Sequence, residues 1–265
     1  MDIVVYVSSH GFGHAVRSTE LIQALTARQA DARIVIRTSA PRWLFARIES
    51  PRIVVEPCDT DPGLVESDGL TIDERATAAR AAVFYRESDR RVADERARLN
   101  AIRPAIVVGD IPPLGFAAAR EAGMPSAAVA NFMWDWVYAY YPEFEALAPG
   151  VLGTISGAYA GATVALRLPL GGGFGTMPGV VEDVPFITRR SVRDPAETRR
   201  LLNIDPVGPL VLWSFGGSGI APGGASGRSG LSVLVPPRIM PAELGHEDLV
   251  AAADIVVSKP GYGIV

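Results

Sequence analysis

Residues Ser8 to Arg17, SSHGFGHAVR, place two glycines and two of the chain's three histidines between the apolar run IVVYV and the helical stretch TELIQALTARQ. An imidazole at a helix start can serve as a general base when a carboxylate fixes its tautomer, and His14 stands at such a start. Asp110, the last residue of AIVVGD, is the expected partner. In a doubly wound sheet the first and fourth strands lie side by side at the switch point, and their C-terminal ends open a crevice for ligands. Counting AIVVGD as strand four brings Asp110 to His14. Gly11 and Gly13 suit a tight turn with positive φ and leave room for a substrate, while the helix N-terminus favours developing negative charge. His10 either shapes this loop or touches substrate. The competing reading is that His14 only caps a helix or packs under a loop. GFGHAVR lacks the third glycine of the dinucleotide fingerprint, and no acidic residue ends strand two, which argues against a nicotinamide cofactor.

Three further stretches carry chemical potential. NFMWDWVYAYY follows strand five and offers Asn131, Trp134, Asp135 and Trp136. Aromatic faces with interspersed amide and carboxylate groups suit a sugar-like acceptor, although the same residues would equally form an aromatic core. In WSFGGSG, the backbone N–H groups of Gly216, Gly217 and Ser218 could cradle phosphate oxygens, but no Walker lysine is present. SKPGYG, with Lys259, Gly261 and Tyr262, is a second Gly-rich turn whose lysine could meet a diphosphate or a carboxylate; otherwise it is an ordinary exposed loop.

The elements that must position these residues follow a strand, helix, strand rhythm: IVVYV, RIVIRT, RIVVEP, AIVVGD, PSAAVAN and ATVALRL are strands separated by helical segments. This predicts an α/β fold with a Rossmann-like parallel sheet. PLGGGFGTMPGVVEDVP breaks the rhythm and reads as a connection. The expected organisation is an N-terminal Rossmann-like domain over residues 1–166, a connection over 167–190 and a partial C-terminal Rossmann-like domain over 191–265. IAPGGASGRSG in the second half is low in complexity and reads as flexible.

The formal net charge of −4 gives no general field for nucleic acid. No run is long enough for a transmembrane segment, and MDIVVYV lacks the basic region of a secretory signal, so a cytoplasmic protein is expected. The single cysteine, Cys58, excludes an internal disulfide and a Cys-rich metal site.

Taken together, GFGHAVR, VVGDIPPLGFAAAREAGMPSAAVANFMWDW, FGGSG and EDLVAAADIVVSKPGYGIV resemble the GT-B glycosyltransferases. More narrowly they are similar to bacterial glycosyltransferase-like proteins that resemble the N-terminal region of plant-type L-arabinokinases. The resemblance implies sugar transfer from a nucleoside diphosphate sugar, as cosubstrate, to a hydroxyl of a small-molecule or glycan acceptor, with no tightly bound cofactor or metal. It makes the N-terminal domain the acceptor domain and the C-terminal one the donor-nucleotide domain. It makes His14 the base and Asp110 its partner, and it sets Gly216, Gly217 and Ser218 near the donor diphosphate. Two departures are plain: a βα unit after FGGSG is replaced by IAPGGASGRSG, and the second domain is short. An unfinished sheet edge would invite self-association. A noncatalytic sugar- or nucleotide-binding module is the rival reading. A related epimerase would need a further set of acidic residues and a complete nucleotide site, neither of which the sequence lets one locate.

Overall fold

A computed structural model describes residues 1–68, 70–177, 179–205, 207–215, 232–236, 243–259 and 261. Two compact units divide the chain. The first comprises Met1–Ser67 and Ile72–Ile187, and the second Asp68–Thr71 and the residues from Thr188 onward.

Unit 1 is built on a seven-stranded parallel sheet. Its strands are β1 (Asp2–Val7), β2 (Arg33–Thr38), β3 (Ile53–Pro57), β4 (Ile106–Asp110), β5 (Ser126–Ala130), β6 (Val164–Arg167) and β7 (Val181–Asp183). They lie in the order β3-β2-β1-β4-β5-β6-β7. The reversal between β1 and β4 is the switch point, and the register there pairs Val7 with Asp110. β1 is apolar almost throughout because helices cover both faces of a parallel sheet, which leaves Val4, Val5 and Val7 without solvent exposure.

Helix α1 (Phe12–Arg28) starts at Gly11, whose φ of 70° lies in a region that side chains disfavour. RWLFARI forms a 3₁₀ helix over Arg42–Ile48. The long polar segment after β3 forms two helices, α2 (Glu74–Arg86) and α3 (Ser88–Ile102), broken at Glu87; Asp73 caps the first by accepting from the Ala76 N–H at 2.8 Å. α4 (Pro113–Glu121) lies close against the sheet. A Cβ on Gly109 would come within 2.4 Å of the Phe116 ring, so only glycine admits this helix next to Asp110. Short helices α5 (Trp134–Tyr138) and α6 (Glu143–Leu147), then α7 (Val151–Tyr159), complete the β5 side.

The 167–190 stretch is not simply a connection. It ends β6 and contributes β7, whose residues Val181, Glu182 and Asp183 pair with Ala165, Leu166 and Arg167. Three residues flanked by glycine and proline are too short to display a strand period.

Unit 2 contains α8 (Pro195–Leu201), β8 (Leu210–Ser214), β9 (Ser232–Leu234), α9 (His246–Ala252) and β10 (Ile255–Ser258). Its described strands form a parallel sheet in the order β10-β8-β9. IAPGGASGRSG lies outside the described residues. Among the described residues no helix is long and apolar enough to cross a membrane.

Candidate functional site

The C-terminal ends of β1 and β4 bring His14 and Asp110 together. The His14 Nδ1 lies 2.9 Å from Asp110 Oδ1, and both side chains are buried. A carboxylate acceptor assigns the ring proton to Nδ1 and leaves the lone pair on Nε2.

Asp110 has more partners than His14. Arg17 donates from Nε to Oδ2 at 3.0 Å and from Nη2 to Oδ1, and the Ser18 hydroxyl donates to Oδ2 at 3.0 Å. Burial alone would push this carboxyl upward; the charges of Arg17 and His14 and their hydrogen bonds overcome it and hold the group at about 2. Beyond Asp110 the chain turns sharply, because Ile111 adopts a φ of 68°. A β-branched residue there is strained by roughly 1–3 kcal/mol. The turn is held by the Tyr159 hydroxyl of α7, which donates to the Ile111 carbonyl at 2.7 Å.

Arg17 and Ser18 were not anticipated as site residues, although they follow His14 by three and four positions and so share its helix face. Arg17 also donates from Nη1 to Asn131 Oδ1 at 2.8 Å, which draws Asn131 into the same cluster. Phe132 closes one side of His14, with ring centroids 5.7 Å apart in an edge arrangement.

A second carboxylate lies in the loop after β3. Asp61 is buried and accepts from the Ser8 hydroxyl at 3.1 Å, and that hydroxyl in turn accepts from the His10 N–H at 3.2 Å. Burial pushes Asp61 up to about 6, against the opposing pull of the nearby His14 and of its hydrogen bonds. The stretch CDTDPG carries no period or motif that would single it out.

The other anticipated residues divide. His10 takes the Leu64 N–H on Nδ1 at 3.3 Å and meets the Trp134 ring edge-on at 5.5 Å, so it ties the loop of residues 61–64 to the first turn. Gly13 sits inside the first turn of α1, where helical φ is negative; the positive-φ requirement belongs to Gly11 alone of the pair. Trp134 is fully buried and stacked on Tyr138 at 5.2 Å, so its ring is core rather than an open sugar platform. The Asp135 carboxylate accepts from Ser156 Oγ and the Trp136 N–H, each at 2.9 Å, which fastens α5 to α7; burial nevertheless raises this carboxyl. Trp136 covers the glycine loop after β6, where a Cβ on Gly173 would fall 2.4 Å from its own Cβ.

On the expected donor side, Gly216, Gly217, Ser218 and Tyr262 lie outside the described residues. Lys259 follows β10 and is half-buried, and Gly261 is exposed. Ser214, at the end of β8, has its Oγ 2.8 Å from His246 Nε2 at the start of α9.

The first turn of α1 has no side-chain cap and no acidic residue. The helix start therefore carries no competing anion from α1 itself.

The parallel α/β fold is similar to that of solved GT-B glycosyltransferases. Solved structures with this fold include the spinosyn rhamnosyltransferase, at 11% identity and a TM-score of 0.58, covering 98% of this chain and 76% of that one. Another is Phytolacca americana UGT2 complexed with UDP-2-fluoro-glucose and pterostilbene, at 16% identity and a TM-score of 0.51, covering 83% of this chain and 61% of that one. In sequence the chain is similar to L-arabinokinase of Arabidopsis thaliana, 32% identical over 98% of this chain. It spans 26% of that protein's length. No family model matches the chain.

Proposed function

We propose that the chain is a glycosyltransferase that moves a sugar from a nucleoside diphosphate sugar to an acceptor hydroxyl, with unit 1 taking the acceptor. The observation that carries this reading is the buried His14–Asp110 pair, 2.9 Å apart at the sheet switch point. His14 Nε2 takes the proton of the acceptor hydroxyl. The acceptor oxygen then forms a bond to the anomeric carbon as the bond to the diphosphate oxygen breaks, and the nucleoside diphosphate leaves with the electron pair. Asp110 stays ionised throughout and stabilises the imidazolium that forms. Asn131, with Gly11, Gly13 and His10 around the turn, lies on the acceptor side.

The donor falls to unit 2, through Gly216, Gly217, Ser218, Lys259, Gly261 and Tyr262, with a uridine nucleotide as the first choice. The rival reading is a module that binds sugar or nucleotide without turnover. Self-association through a sheet edge and a cytoplasmic location belong to the same proposal.

Calorimetric titration with UDP, a panel of nucleotide sugars and the free sugars tests the donor assignment. Saturable binding of a nucleotide sugar is expected, weakened severalfold in Lys259→Met. Turnover with a bound donor should fall by about 10²–10⁴ in His14→Ala. Tight binding with no turnover under any acceptor would favour the module, and silence with every nucleotide would overturn donor binding.

A further inference from the structure

Arg17 is nearly inaccessible, with its side chain 3% exposed. A guanidinium carries donors and no acceptor, so each of its contacts fixes the identity of the atom opposite. Two edges are used at once. Nε and Nη2 grip both oxygens of Asp110, and Nη1 reaches Asn131 at 2.8 Å. Facing a pure donor, Asn131 must present its carbonyl oxygen, which leaves the two N–H donors of that amide for another partner. Nη2 also comes within 3.2 Å of His14 Nδ1. Because Nδ1 already carries the proton shared with Asp110, this approach is a cation beside the ring rather than a further hydrogen bond.

We propose that Arg17 is the positioning residue of this site: one fork that holds Asp110 in place for His14 and turns the Asn131 amide so that its N–H groups serve a hydroxyl-bearing ligand. The proposal rests on the transferase reading for what the site acts upon, but not for its own test. Lysine could not substitute fully, because an ammonium is a point charge that cannot span both Asp110 oxygens and Asn131.

The ionisable groups facing His14 are Asp110 from β4, Arg17 one turn along α1 and Asp61 from the loop after β3. Removing the cation while keeping both carboxylates favours the imidazolium. Imidazole proton resonances of the native chain, Arg17→Met and Arg17→Lys, assigned with His14→Gln, give the titration of His14 without donor or acceptor. The midpoint should move up in Arg17→Met and move less in Arg17→Lys, where a cation remains. A midpoint unmoved in a folded Arg17→Met chain would overturn the role and leave Arg17 a packing residue.

Arg17→Lys supplies a second readout should Arg17→Met fail to fold. With the fork gone, the side-chain amide resonances of Asn131 should shift and exchange faster with solvent; unchanged resonances would equally overturn the proposal. Neither measurement requires turnover, so the transferase reading can fail while Arg17 keeps its place, and the reverse.

Discussion

Asp110, at the end of β4, and Asp61, in the loop after β3, are both buried carboxylates of unit 1, and their surroundings drive them in opposite directions. Asp110 meets a guanidinium, an imidazole and a hydroxyl, and it is held at about 2. Asp61 meets the Ser8 hydroxyl and lies near His14 without a cation gripping it, and burial pushes it up to about 6. Burial therefore does not decide the protonation state at this site; the number of charged donors does. Two carboxylates tuned apart beside one histidine leave a permanently charged partner for the imidazole and a second group that titrates close to neutrality.

The contrast is most severely broken by removing Asp110. Asp110→Ala leaves the buried Arg17 without its counter-charge and should cost about 3–5 kcal/mol in urea unfolding at pH 7. The corresponding ion pair of unit 2 provides the control. Arg199 meets Asp254 at 3.0 Å, but that carboxylate is 55% exposed and Arg199 keeps the carbonyls of Ala252 and Gly208, so Asp254→Ala should cost less than Asp110→Ala.

Next in size is Asp61→Asn. A folded value of about 6 against an ordinary 3.8 means that the native chain is stabilised by neutral Asp61 below pH 4 and loses that term as pH rises through 6. Asparagine mimics the neutral acid, so the variant should gain roughly 1–3 kcal/mol over the native chain at pH 8 and nothing at pH 3.5. Asp110 runs the other way: its depressed value contributes stability that is complete above pH 4 and is lost as pH falls towards 2. Thermal unfolding across this range should show a steeper acid loss in the native chain than in Asp110→Asn.

The smallest effect comes from Ser8→Ala, which removes the hydroxyl donated to Asp61. A loss of about 1 kcal/mol is expected at pH 8, where Asp61 is charged, and less at pH 4. Equal losses at both pH values would show that the hydroxyl does not serve the ionised carboxylate.

Much of this was legible from local pattern. Counting apolar strands put Asp110 on β4, and the switch-point rule placed it beside His14, because parallel topology converts strand order into proximity. Arg17 and Ser18 carried a signal in their spacing from His14, but a helix face reads as chemistry only once its neighbour across the sheet is known. Asp61 had no such signal, since its loop joins the crevice through tertiary folding alone. Trp134 and Asp135 show the converse. Their types suit a sugar site, yet the first residues of α5 turn inward, towards Tyr138 and Ser156, and composition does not encode that direction. β7 escaped notice because three residues between glycines and prolines leave no period to read.

The central claim is that His14, held by Asp110, activates an acceptor hydroxyl. It is tested most directly by release of nucleoside diphosphate from a bound nucleotide sugar, with and without a panel of sugar and polyol acceptors, by the native chain and His14→Ala at equal folded fraction. Release that depends on acceptor and falls by about two to four orders of magnitude in the variant is the expected result. Release that is the same in both proteins, or absent from a native chain that binds the donor, would contradict it.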